Sequence, residues 1–566
     1  MNKSNLKKNL WLYISLLVAI YYGICFYYFV FSHEYIVQDD ARQHIVWLQR
    51  FIDPELFPRD LIADYFQNLA PLGFISLYKF LAQIGLEPIL AAKLLPPIIG
   101  IITTIYLYFF TIKILPLPIT GFISCLLFNQ LIWLNDDLVS ATPRAFIYPL
   151  FAAFLYYLSL DWLLPCLLLM LLQGLFYPHV LLIEIAILSL RLIKLKGLSK
   201  VKLTTLKQPY IWWITGAIVA AIALYPITQK PTELATTVTV DQMRQIPEFS
   251  SNGRSPFFDD DWFNYWFFGS SGLSLPVFPT IVWSGVALPF LLKTKLSVIK
   301  SVTKKIAILL QVTLASLLLF GLAHLLLPRL HLPSRYTYHT LQFILAITAA
   351  IVLTIIVDFI QNKFKQKLRK KTPFNSVDKI KLILVTLVGI IIIIFPSIPP
   401  VFINWFQGWK IGTDTEIYQY LAQQPQDVVV ASLSREANNI PAFSQRSILV
   451  GREFAMAYHP FYHNQIKQRT IDLLQAQYSP SPKVLISFVN KYQINYFLLD
   501  KTAFNSDYFD RKKWLIYSSW REKTEQTIEQ LKSGEEAALV RFIPFCTAIS
   551  SENLILLDTA CINSKT

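Results

Sequence analysis

Blocks of mostly apolar residues, separated by short polar connections, make up most of the first 402 residues of the chain. A helix that crosses a membrane needs about 20 largely apolar residues, so each block of roughly this length predicts one crossing. The predicted membrane spans are residues 9–31, 89–111, 116–134, 144–160, 163–177, 179–193, 210–228, 273–292, 306–327, 339–361 and 382–402. The pattern therefore predicts a polytopic α-helical membrane protein with about 11 transmembrane helices.

The pattern changes after residue 402, where charged residues become more frequent and the apolar runs become shorter. Runs of strand-forming residues at 428–430, 447–450 and 496–499 alternate with helical segments such as 524–532, as expected of an α/β domain. We therefore predict two domains, a transmembrane domain over 1–402 and a soluble α/β domain over 403–566. Four loops of the transmembrane domain are expected on the same side of the membrane as the soluble domain, at 32–88, 135–143, 229–272 and 328–338.

The composition narrows the class of protein further. Hydrophobic residues make up 54% of the chain and charged residues 15%, against about 45–50% and about 25% in an ordinary soluble protein. This excludes a disordered chain, a coiled coil and a small disulfide scaffold. No two of the 18 glycines are separated by a single residue, so the chain has no glycine-rich dinucleotide loop. The predicted cytoplasmic connections are too short to form a nucleotide site, so a donor substrate has to be lipid-borne or extracytoplasmic.

The distribution of basic residues predicts the orientation in the membrane. With the N-terminus inside, the connections assigned to the cytoplasm carry 23 lysines and arginines against three aspartates, which is the positive-inside asymmetry of membrane proteins. An odd number of spans then places the C-terminal domain outside the cytoplasm. The formal net charge of +15 belongs mainly to the inner face, so nucleic-acid binding is not expected. The predicted outer segments contain no N-x-S/T sequon, which favours a bacterial plasma (inner) membrane.

The five cysteines divide between the two predicted domains. Cys25, Cys125 and Cys166 fall within predicted spans, where a thiol acts as a small apolar side chain. Cys546 and Cys561 belong to the predicted outer domain, where an oxidising compartment would permit a disulfide between them.

The first predicted outer loop carries two adjacent carboxylates, Asp39 and Asp40, with His44 close behind. Apolar residues recur at helical spacing from Ala41 to Ile52, which predicts an amphipathic helix lying on the membrane. One of the acids could simply cap this helix. Two adjacent carboxylates could also raise the pKa of one of them, as suits a general base, or hold a divalent cation such as Mg²⁺ or Mn²⁺.

The second outer loop, 135–143, holds the acids Asp136 and Asp137, and Arg144 follows at the start of the next span. An ordinary polar turn with an arginine that reaches the interface is the alternative to a functional role. The segment is therefore a candidate site with an equally simple structural explanation.

The third loop concentrates cationic and aromatic side chains next to the membrane. Its candidate residues are Arg329, His331, Arg335, Tyr336 and His339. Such groups are costly near lipid unless an anion is held there, and arginine binds phosphate through a bidentate fork. Binding of a lipid headgroup is the alternative, mainly for Arg329.

Three other features carry weaker signals. Trp262 lies in a run of acids and aromatics at 257–266 that could stack on a sugar ring, although an interfacial aromatic belt is the favoured explanation. His459 and His463 have the spacing of a zinc pair, but Pro460 lies between them and further ligands are lacking. Glu184 lies inside a predicted span, where an ionisable residue is a functional candidate.

Taken together, these features resemble the GT-C superfamily of integral-membrane glycosyltransferases, which use polyprenyl-phosphate-linked sugars. The resemblance rests on the cytoplasmic N-terminus, the Asp39/Asp40 pair in a long first outer loop, the eleven spans and the outer C-terminal domain. Residues 333–336 are similar to the late-loop basic motif of some members, and residues 440–453 to the tail domain of bacterial relatives. The tail contains no Trp-Trp-Asp tripeptide, which argues against transfer to peptide asparagine.

The resemblance implies an inverting glycosyltransferase that moves a sugar from a polyprenyl-phosphate donor to an extracytoplasmic acceptor on a glycan, lipid or protein hydroxyl. Asp39 or Asp40 would be the general base, and Arg335, helped by Arg144 or Arg329, would neutralise the departing phosphate. The expected substrate-binding residues are His44, Asp136, Asp137, Tyr336, His339 and Trp262. The expected partners are the lipid bilayer and the polyprenyl-phosphate-linked sugar.

Two other functions stay open from the sequence. One is a transporter or flippase of lipid-linked glycans, and the other is a non-catalytic envelope assembly protein that keeps the fold. Transporters usually show internal repeats and interrupted helices near the membrane centre, whereas the polar candidates here cluster in the predicted outer loops.

Overall fold

The computed structural model describes residues 3–196, 200–229, 236–327, 329–369, 389, 391, 393–398 and 408–565. The chain is mostly helical. Among these described residues, five helices are long and apolar enough to cross a membrane, over Asn9–Val30, Pro88–Ile114, Lys207–Thr228, Lys304–Leu325 and Tyr338–Asn362. Four shorter apolar helices cover Pro118–Ile132, Leu163–Phe176, Pro178–Leu190 and Thr280–Leu291. The protein is therefore an integral membrane protein.

The helices of the first half of the chain follow the apolar blocks closely. Their bounds are α1 Lys3–Val30, α2 Asp39–His44, α3 Leu61–Leu69, α4 Leu72–Gln83, α5 Pro88–Ile114, α6 Pro118–Ile132, α7 Asp136–Val139, α8 Ile147–Ser159, α9 Leu163–Phe176, α10 Pro178–Leu190 and α11 Lys207–Thr228. Short 3₁₀ turns at Val46–Phe51 and Pro143–Phe146 precede α3 and α8. The later helices of this part are Val240–Gln245, Trp262–Phe267, Leu288–Leu291, Ala307–Leu325 and Tyr338–Arg369.

The predicted span 273–292 is only partly helical in the structure. Only Thr280–Leu291 of the predicted span 273–292 is helical, because Pro276 and Pro279 lack the N–H that a helix needs and the helical turns begin directly after Pro279. The predicted span 382–402 lies mostly outside the described residues.

Small residues allow the membrane helices to pack closely. A Cβ atom added at Gly174 of α9 would lie 2.6 Å from Cβ of Ala223 of α11, and one added at Gly121 of α6 would lie 2.7 Å from the ring of Tyr108. Close approach at small residues is how helices associate where lipid supplies no hydrophobic driving force.

Several of the connections predicted to be cytoplasmic lie together at one end of the described bundle. Asp161 pairs with Arg191 at 2.8 Å and with Lys305 at 2.6 Å, and the amide of Thr303 donates to the carbonyl of Ile114. A hairpin of strands β2 Ile193–Lys196 and β3 Lys200–Leu203 is part of the same end. Helix α5 ends here at Ile114 and begins at Pro88 at the opposite end of the bundle. There, the side chain of Glu87 accepts a hydrogen bond from Gln49 of the first predicted outer loop at 2.9 Å.

The first outer loop is not an amphipathic helix on the membrane surface. Its apolar residues Ala41, Ile45 and Leu48 are buried against the helical bundle, whereas Trp47 is buried against the C-terminal region. The segment is covered by protein on both sides. It forms α2 and a separate 3₁₀ turn in place of one continuous helix.

The C-terminal region, residues 408–565, folds around a five-stranded sheet with the order β6-β5-β7-β9-β8. Strands β5, β6 and β7 are parallel, and β9 is antiparallel to both β7 and β8. The strand bounds are β4 Trp409–Ile411, β5 Val429–Ala431, β6 Ser447–Ile448, β7 Tyr496–Asp500, β8 Thr547–Ser550 and β9 Leu554–Asp558. The α-helices are Thr415–Ala422, Ile440–Phe443, Pro460–Tyr478, Pro482–Tyr492, Lys513–Ile516, Arg521–Lys532, Ala538–Cys546 and Thr559–Ser564.

A strand pair joins the C-terminal region to the helical bundle, and a disulfide links two helices within the region. Strand β1, Ile36–Gln38, pairs antiparallel with β4, so the chain after α1 is hydrogen-bonded to the start of the C-terminal region. Cys546 and Cys561 form a disulfide that joins the end of the helix Ala538–Cys546 to the middle of the helix Thr559–Ser564, with 5.5 Å between the Cα atoms.

Candidate active site

The pairing of β1 with β4 fixes the two adjacent acids of the first outer loop. The amide of Asp39 donates to the carbonyl of Gly408 at 2.6 Å. Gln38 caps α2, because its side-chain oxygen accepts from the amide of Ala41 at 3.1 Å. The side chains of Asp39 and Asp40 therefore do not cap α2, and they are 31% and 24% exposed.

Arg144 joins the first two acidic loops. Its guanidinium bonds to the carboxylate of Asp40 through Nη2 and lies 2.7 Å from Oδ1 of Asp137 through Nη1. The second oxygen of Asp137 lies 2.9 Å from Nε2 of His339 at the start of the helix Tyr338–Arg369. Burial alone would raise the pKa of Asp137, but Arg144 and His339 outweigh it and hold that pKa well below its usual range. Asp137 is thus a buried carboxylate anchor for Arg144.

Asp39 is connected to the C-terminal region through Arg42. The Arg42 guanidinium bonds to Asp39, donates to Oδ1 of Asn439 at 2.7 Å, and lies 3.4 Å from Oε2 of Glu453. Lys410 lies 3.5 Å from the second oxygen of Asp39. The orientation of Asp39 therefore depends on groups that lie more than 350 residues away in the sequence.

Glu453 is itself held on several sides. Gln43 donates to both its side chain and its backbone carbonyl, and Arg254 of the loop 229–272 donates to its Oε1 at 2.7 Å. The carboxylate of Glu453 thus binds groups from the loops 32–88 and 229–272 at once.

Asp136, the other acid of the second outer loop, lies against Gly408 and has a raised pKa. A Cβ atom added at Gly408 would lie 2.4 Å from its Oδ1, so glycine is needed for the two segments to approach. Desolvation at this contact is the main reason that the pKa of Asp136 is raised to about 6, and the negative charges of Asp40 and Asp137 add to the rise.

Arg335 lies beside imidazoles that burial keeps neutral. Among the residues that the structure describes, it has no ion pair, and its Nε is buried without a hydrogen-bond partner. Burial is the main reason that the pKa of His44 is lowered to about 4; Arg144 and Arg335 lower it further, and Asp40 opposes them. The pKa of His331 is lowered well below its usual value by burial and by neighbours that include Arg335. Arg335 is thus a cation next to Asp40 and Arg144 without an acidic partner in the described chain.

Aromatic and imidazole rings from three segments pack around this cation. The ring centroids of Tyr177 and His179 are 5.0 Å apart, those of His179 and His331 5.4 Å, and those of His331 and Tyr458 5.4 Å. Tyr336 follows Arg335, and its buried hydroxyl donates to the carbonyl of Leu330 at 2.9 Å. It therefore shapes the loop and does not present a free hydroxyl.

The carboxylates do not form a preorganised cation site. The described residues contain no group of three or more His, Cys, Asp or Glu side chains placed to hold a metal ion, and Asp39 and Asp40 each bind an arginine. His463 lies 3.1 Å from Glu248, and His459 lies 2.8 Å from the hydroxyl of Tyr65.

Three of the sequence candidates stay outside this group. Trp262 is 68% exposed on the short helix Trp262–Phe267, and Arg329 is exposed without a contact to the acids among the described residues. Glu184 is fully buried in α10, and neither of its carboxylate oxygens has a partner in the described part of the chain.

The sequence did not single out several residues that the structure brings to the acids. Arg42 is three residues after Asp39, a spacing that predicts an ion pair on a helix. The contributions of Lys410, Glu453, Arg254 and His179 had no comparable local signal, because they depend on strand pairing and on how the loops meet.

No protein-family model matches the sequence, and no curated protein matches it. The structure is similar to solved structures of the Archaeoglobus fulgidus oligosaccharyltransferase. For that enzyme tethered to an acceptor peptide containing the NVT sequon, the TM-score is 0.49 at 11% identity, over 91% of this chain and 72% of that chain.

For archaeal oligosaccharyltransferase AglB of the same organism, in complex with an inhibitory peptide and a dolichol-phosphate, the TM-score is 0.48 at 11% identity, again over 91% and 72% of the two chains. Both neighbours are oligosaccharyltransferases. With TM-scores below 0.5, the similarity assigns no function to this chain, and its function has to be argued from the site.

Proposed function

We propose that this protein is an inverting glycosyltransferase that moves a sugar from a polyprenyl-phosphate donor to an extracytoplasmic hydroxyl acceptor. The observation that carries the proposal is the neighbourhood of two partly exposed carboxylates, Asp39 and Asp40, and a cation without an acidic partner in the described chain, Arg335. Glycosyl transfer from a lipid phosphate needs a base for the acceptor and a positive charge for the leaving group.

In the proposed reaction, the carboxylate of Asp39 or Asp40 takes the proton from the acceptor hydroxyl. The hydroxyl oxygen forms a bond to the anomeric carbon from the face opposite the phosphate, and the bond between that carbon and the phosphate oxygen breaks. The electron pair leaves with the lipid phosphate, whose negative charge Arg335 neutralises. The proton ends on the aspartic acid, and the configuration at the anomeric carbon is inverted.

Arg144 has a different part in this scheme from the one that the sequence suggested. It is already bonded to Asp40 and Asp137. Its guanidinium therefore orients Asp40 and adds positive charge near the phosphate. Arg335 is left as the main phosphate ligand. A bidentate arginine fork fits a phosphate better than a point charge does.

The proposal includes the finer organisation predicted from the sequence. The protein would have about 11 spans, a cytoplasmic N-terminus and an extracytoplasmic C-terminal α/β domain in a bacterial plasma membrane. The site groups of the first, second and third outer loops are then all on the outer face, where a polyprenyl-phosphate sugar presents its headgroup.

The test is transfer of labelled sugar by the purified protein from a panel of polyprenyl-phosphate sugars. The lipid-linked sugars that accumulate in a strain lacking the protein identify which donor to use. Changing Asp39→Asn and Asp40→Asn together should lower turnover by at least about 10²-fold, because the shape is kept and the base is lost. Asp64→Asn is the matched control, since Asp64 is an exposed carboxylate in the same loop that pairs with Arg50.

Arg335 gives an independent arm of the test. Arg335→Lys keeps the charge and loses the fork, so it should impair transfer less than Arg335→Ala does. Transfer at the wild-type rate by folded Asp39→Asn/Asp40→Asn protein would overturn the catalytic assignment. A protein that moves a lipid-linked glycan across vesicles without cleaving the glycosyl phosphate bond would instead be a flippase.

A further inference from the structure

The edge of the C-terminal sheet that faces the acids is formed by the carboxyl ends of two parallel strands. The chain leaves β5 at Ala431 and β6 at Ile448, and short 3₁₀ turns follow at Arg435–Asn439 and Arg452–Phe454. Ligands of α/β sheets bind outside the carboxyl ends of parallel strands, where such connections diverge. This edge is therefore a place to look for a binding site beyond the acids and Arg335.

The two turns are in contact with each other. The amide of Glu453 donates to the side-chain oxygen of Asn438 at 2.9 Å, and a Cβ atom added at Gly451 would lie 2.7 Å from that same oxygen. Arg435 and Arg452, the first residues of the two turns, are both exposed. Two solvent-accessible guanidinium groups are thus carried by neighbouring segments of one sheet edge.

The nearby acid is already neutralised by other arginines. Arg254 donates to Oε1 of Glu453 at 2.7 Å and to the carbonyl of Arg452 at 3.0 Å, and Arg42 lies 3.4 Å from Oε2 of Glu453. Within the described part of the chain, neither Arg435 nor Arg452 has an ion pair. The charges of Arg435 and Arg452 are consequently not balanced by a paired carboxylate among the described residues.

This cationic edge is next to the reacting groups. The pKa of Arg452 is lowered first by partial burial and then by the charges of Arg254 and Arg435, and Glu453 and Asp39 act against this. On the other side of Arg254, the pKa of the Tyr458 hydroxyl is raised by burial, while Arg335 and Arg254 both counteract the rise. Contacts join this edge to Asp39, because Arg42 bonds to Asp39 and lies 3.4 Å from Glu453, while Arg254 donates to Glu453 and to the carbonyl of Arg452.

We propose that Arg435 and Arg452 form a subsite for an anionic group, a phosphate or a carboxylate, on the acceptor. The proposal rests on the proposed function, which makes Asp39 the neighbouring base. Both arginines come from the sheet edge of the C-terminal region, whereas Arg335 comes from the loop between two candidate spans and serves the lipid phosphate. An acceptor held at Arg435 and Arg452 would present its hydroxyl towards Asp39 and Asp40.

The experiment measures binding of small probes to the full-length protein in detergent, so that it does not depend on turnover. Glucose 6-phosphate and glucuronate are compared with glucose by isothermal titration calorimetry. The wild type should bind the two anions at least about tenfold more tightly than glucose, as expected of charge-assisted hydrogen bonds to arginine. The R435Q/R452Q variant should lose most of this preference, and R435K/R452K should keep part of it because charge remains.

Two matched controls separate this subsite from general charge effects and from the donor site. Arg521→Gln removes an exposed arginine that pairs with Glu525 elsewhere in the C-terminal region, and it should leave the preference for anions unchanged. Arg335→Gln should weaken binding of a short-chain polyprenyl phosphate and keep the preference for anionic sugars. R435Q/R452Q should keep binding of the polyprenyl phosphate and lose the preference for anionic sugars.

Three results would overturn the proposal. The first is an equal affinity of the wild type for glucose and for both anionic sugars. The second is a full preference for anions in R435Q/R452Q protein that unfolds at the wild-type temperature. The third is a loss of polyprenyl-phosphate binding in R435Q/R452Q, which would assign these arginines to the donor. Loss of the proposed glycosyl transfer activity leaves all three readouts measurable, so the two proposals fail separately.

Discussion

The Nη1 atom of Arg144 lies 2.7 Å from Oδ1 of Asp137, a carboxylate that is only 3% exposed. The same guanidinium bonds to Asp40 through its other terminal nitrogen. One arginine at the start of a membrane helix therefore couples a buried acid of the second outer loop to an accessible acid of the first. Removal of one partner of a buried ion pair costs about 3–5 kcal/mol, so this link is expected to matter for both stability and geometry.

Arg144→Lys should lower kcat of glycosyl transfer by about tenfold or more while the KM for the donor changes little, because one ammonium group cannot reproduce the two-sided fork. Arg144→Gln should be worse and should also lower the unfolding temperature, since the charge of Asp137 loses its main partner. Steady-state kinetics at varied donor concentration check the split. An unchanged kcat with a raised donor KM would mean that Arg144 binds the donor directly.

Asp136 should make stability depend on pH in the range of its raised pKa. The folded protein keeps this proton up to about pH 6, whereas the unfolded chain releases it near the ordinary value of 3.8. The group therefore makes the folded state less stable as pH rises from about 4 to about 6. Asp136→Asn removes the penalty, so it should stabilise the protein at pH 7.5 by on the order of 1 kcal/mol after solvent screening, and have little effect at pH 4.

Unfolding temperatures of wild type and Asp136→Asn at the two pH values test this sign. The control is Asp64→Asn, whose exposed carboxylate pairs with Arg50. A variant that is stabilised at pH 4 and not at pH 7.5 would contradict the assigned direction.

The disulfide between Cys546 and Cys561 closes a loop with a sequence separation of 15 residues. A loop of this size is worth about 3 kcal/mol in the chain-entropy model. Replacing both cysteines by serine should therefore lower the unfolding temperature of the protein, and a reductant should lower that of the wild type but not of the variant. Free labelling of both thiols by maleimide in unreduced native protein would show that the bridge does not form.

The orientation is tested by reporter fusions. Fusions after residues 200, 300 and 370 should report the cytoplasm, and a fusion at 566 should report the outer side, because the basic connections are retained inside. A cytoplasmic C-terminus would place the acids and Arg335 on the wrong face for a polyprenyl-phosphate sugar, and the proposed function would have to be abandoned.

Part of the candidate site could be predicted from the sequence, because some of its signals are local. Asp39 and Asp40 are adjacent, and they follow an apolar block, so their position at a membrane edge needed no knowledge of the fold. Arg335 could be selected because cations cluster around it. Their partners could not be predicted in this way, since Asp40 meets Arg144 only where two loops fold against each other, and Asp39 reaches Glu453 only through Arg42 and the C-terminal region.

The features of the fold also fall into those that local sequence determines and those that depend on tertiary contacts. Hydropathy is a property of each segment, and burial of backbone polar groups in lipid forces an apolar block into a helix. The sequence by itself therefore determined the five long apolar helices among the described residues and the change of character after residue 402. Only the tertiary structure decided that the segment 39–51 is covered by protein on both sides, because a helical period shows an apolar face without showing what covers it. It also decided the pairing of β1 with β4, which brings Gly408 to Asp39: strand pairing between distant segments depends on long-range hydrogen bonds that no local pattern encodes.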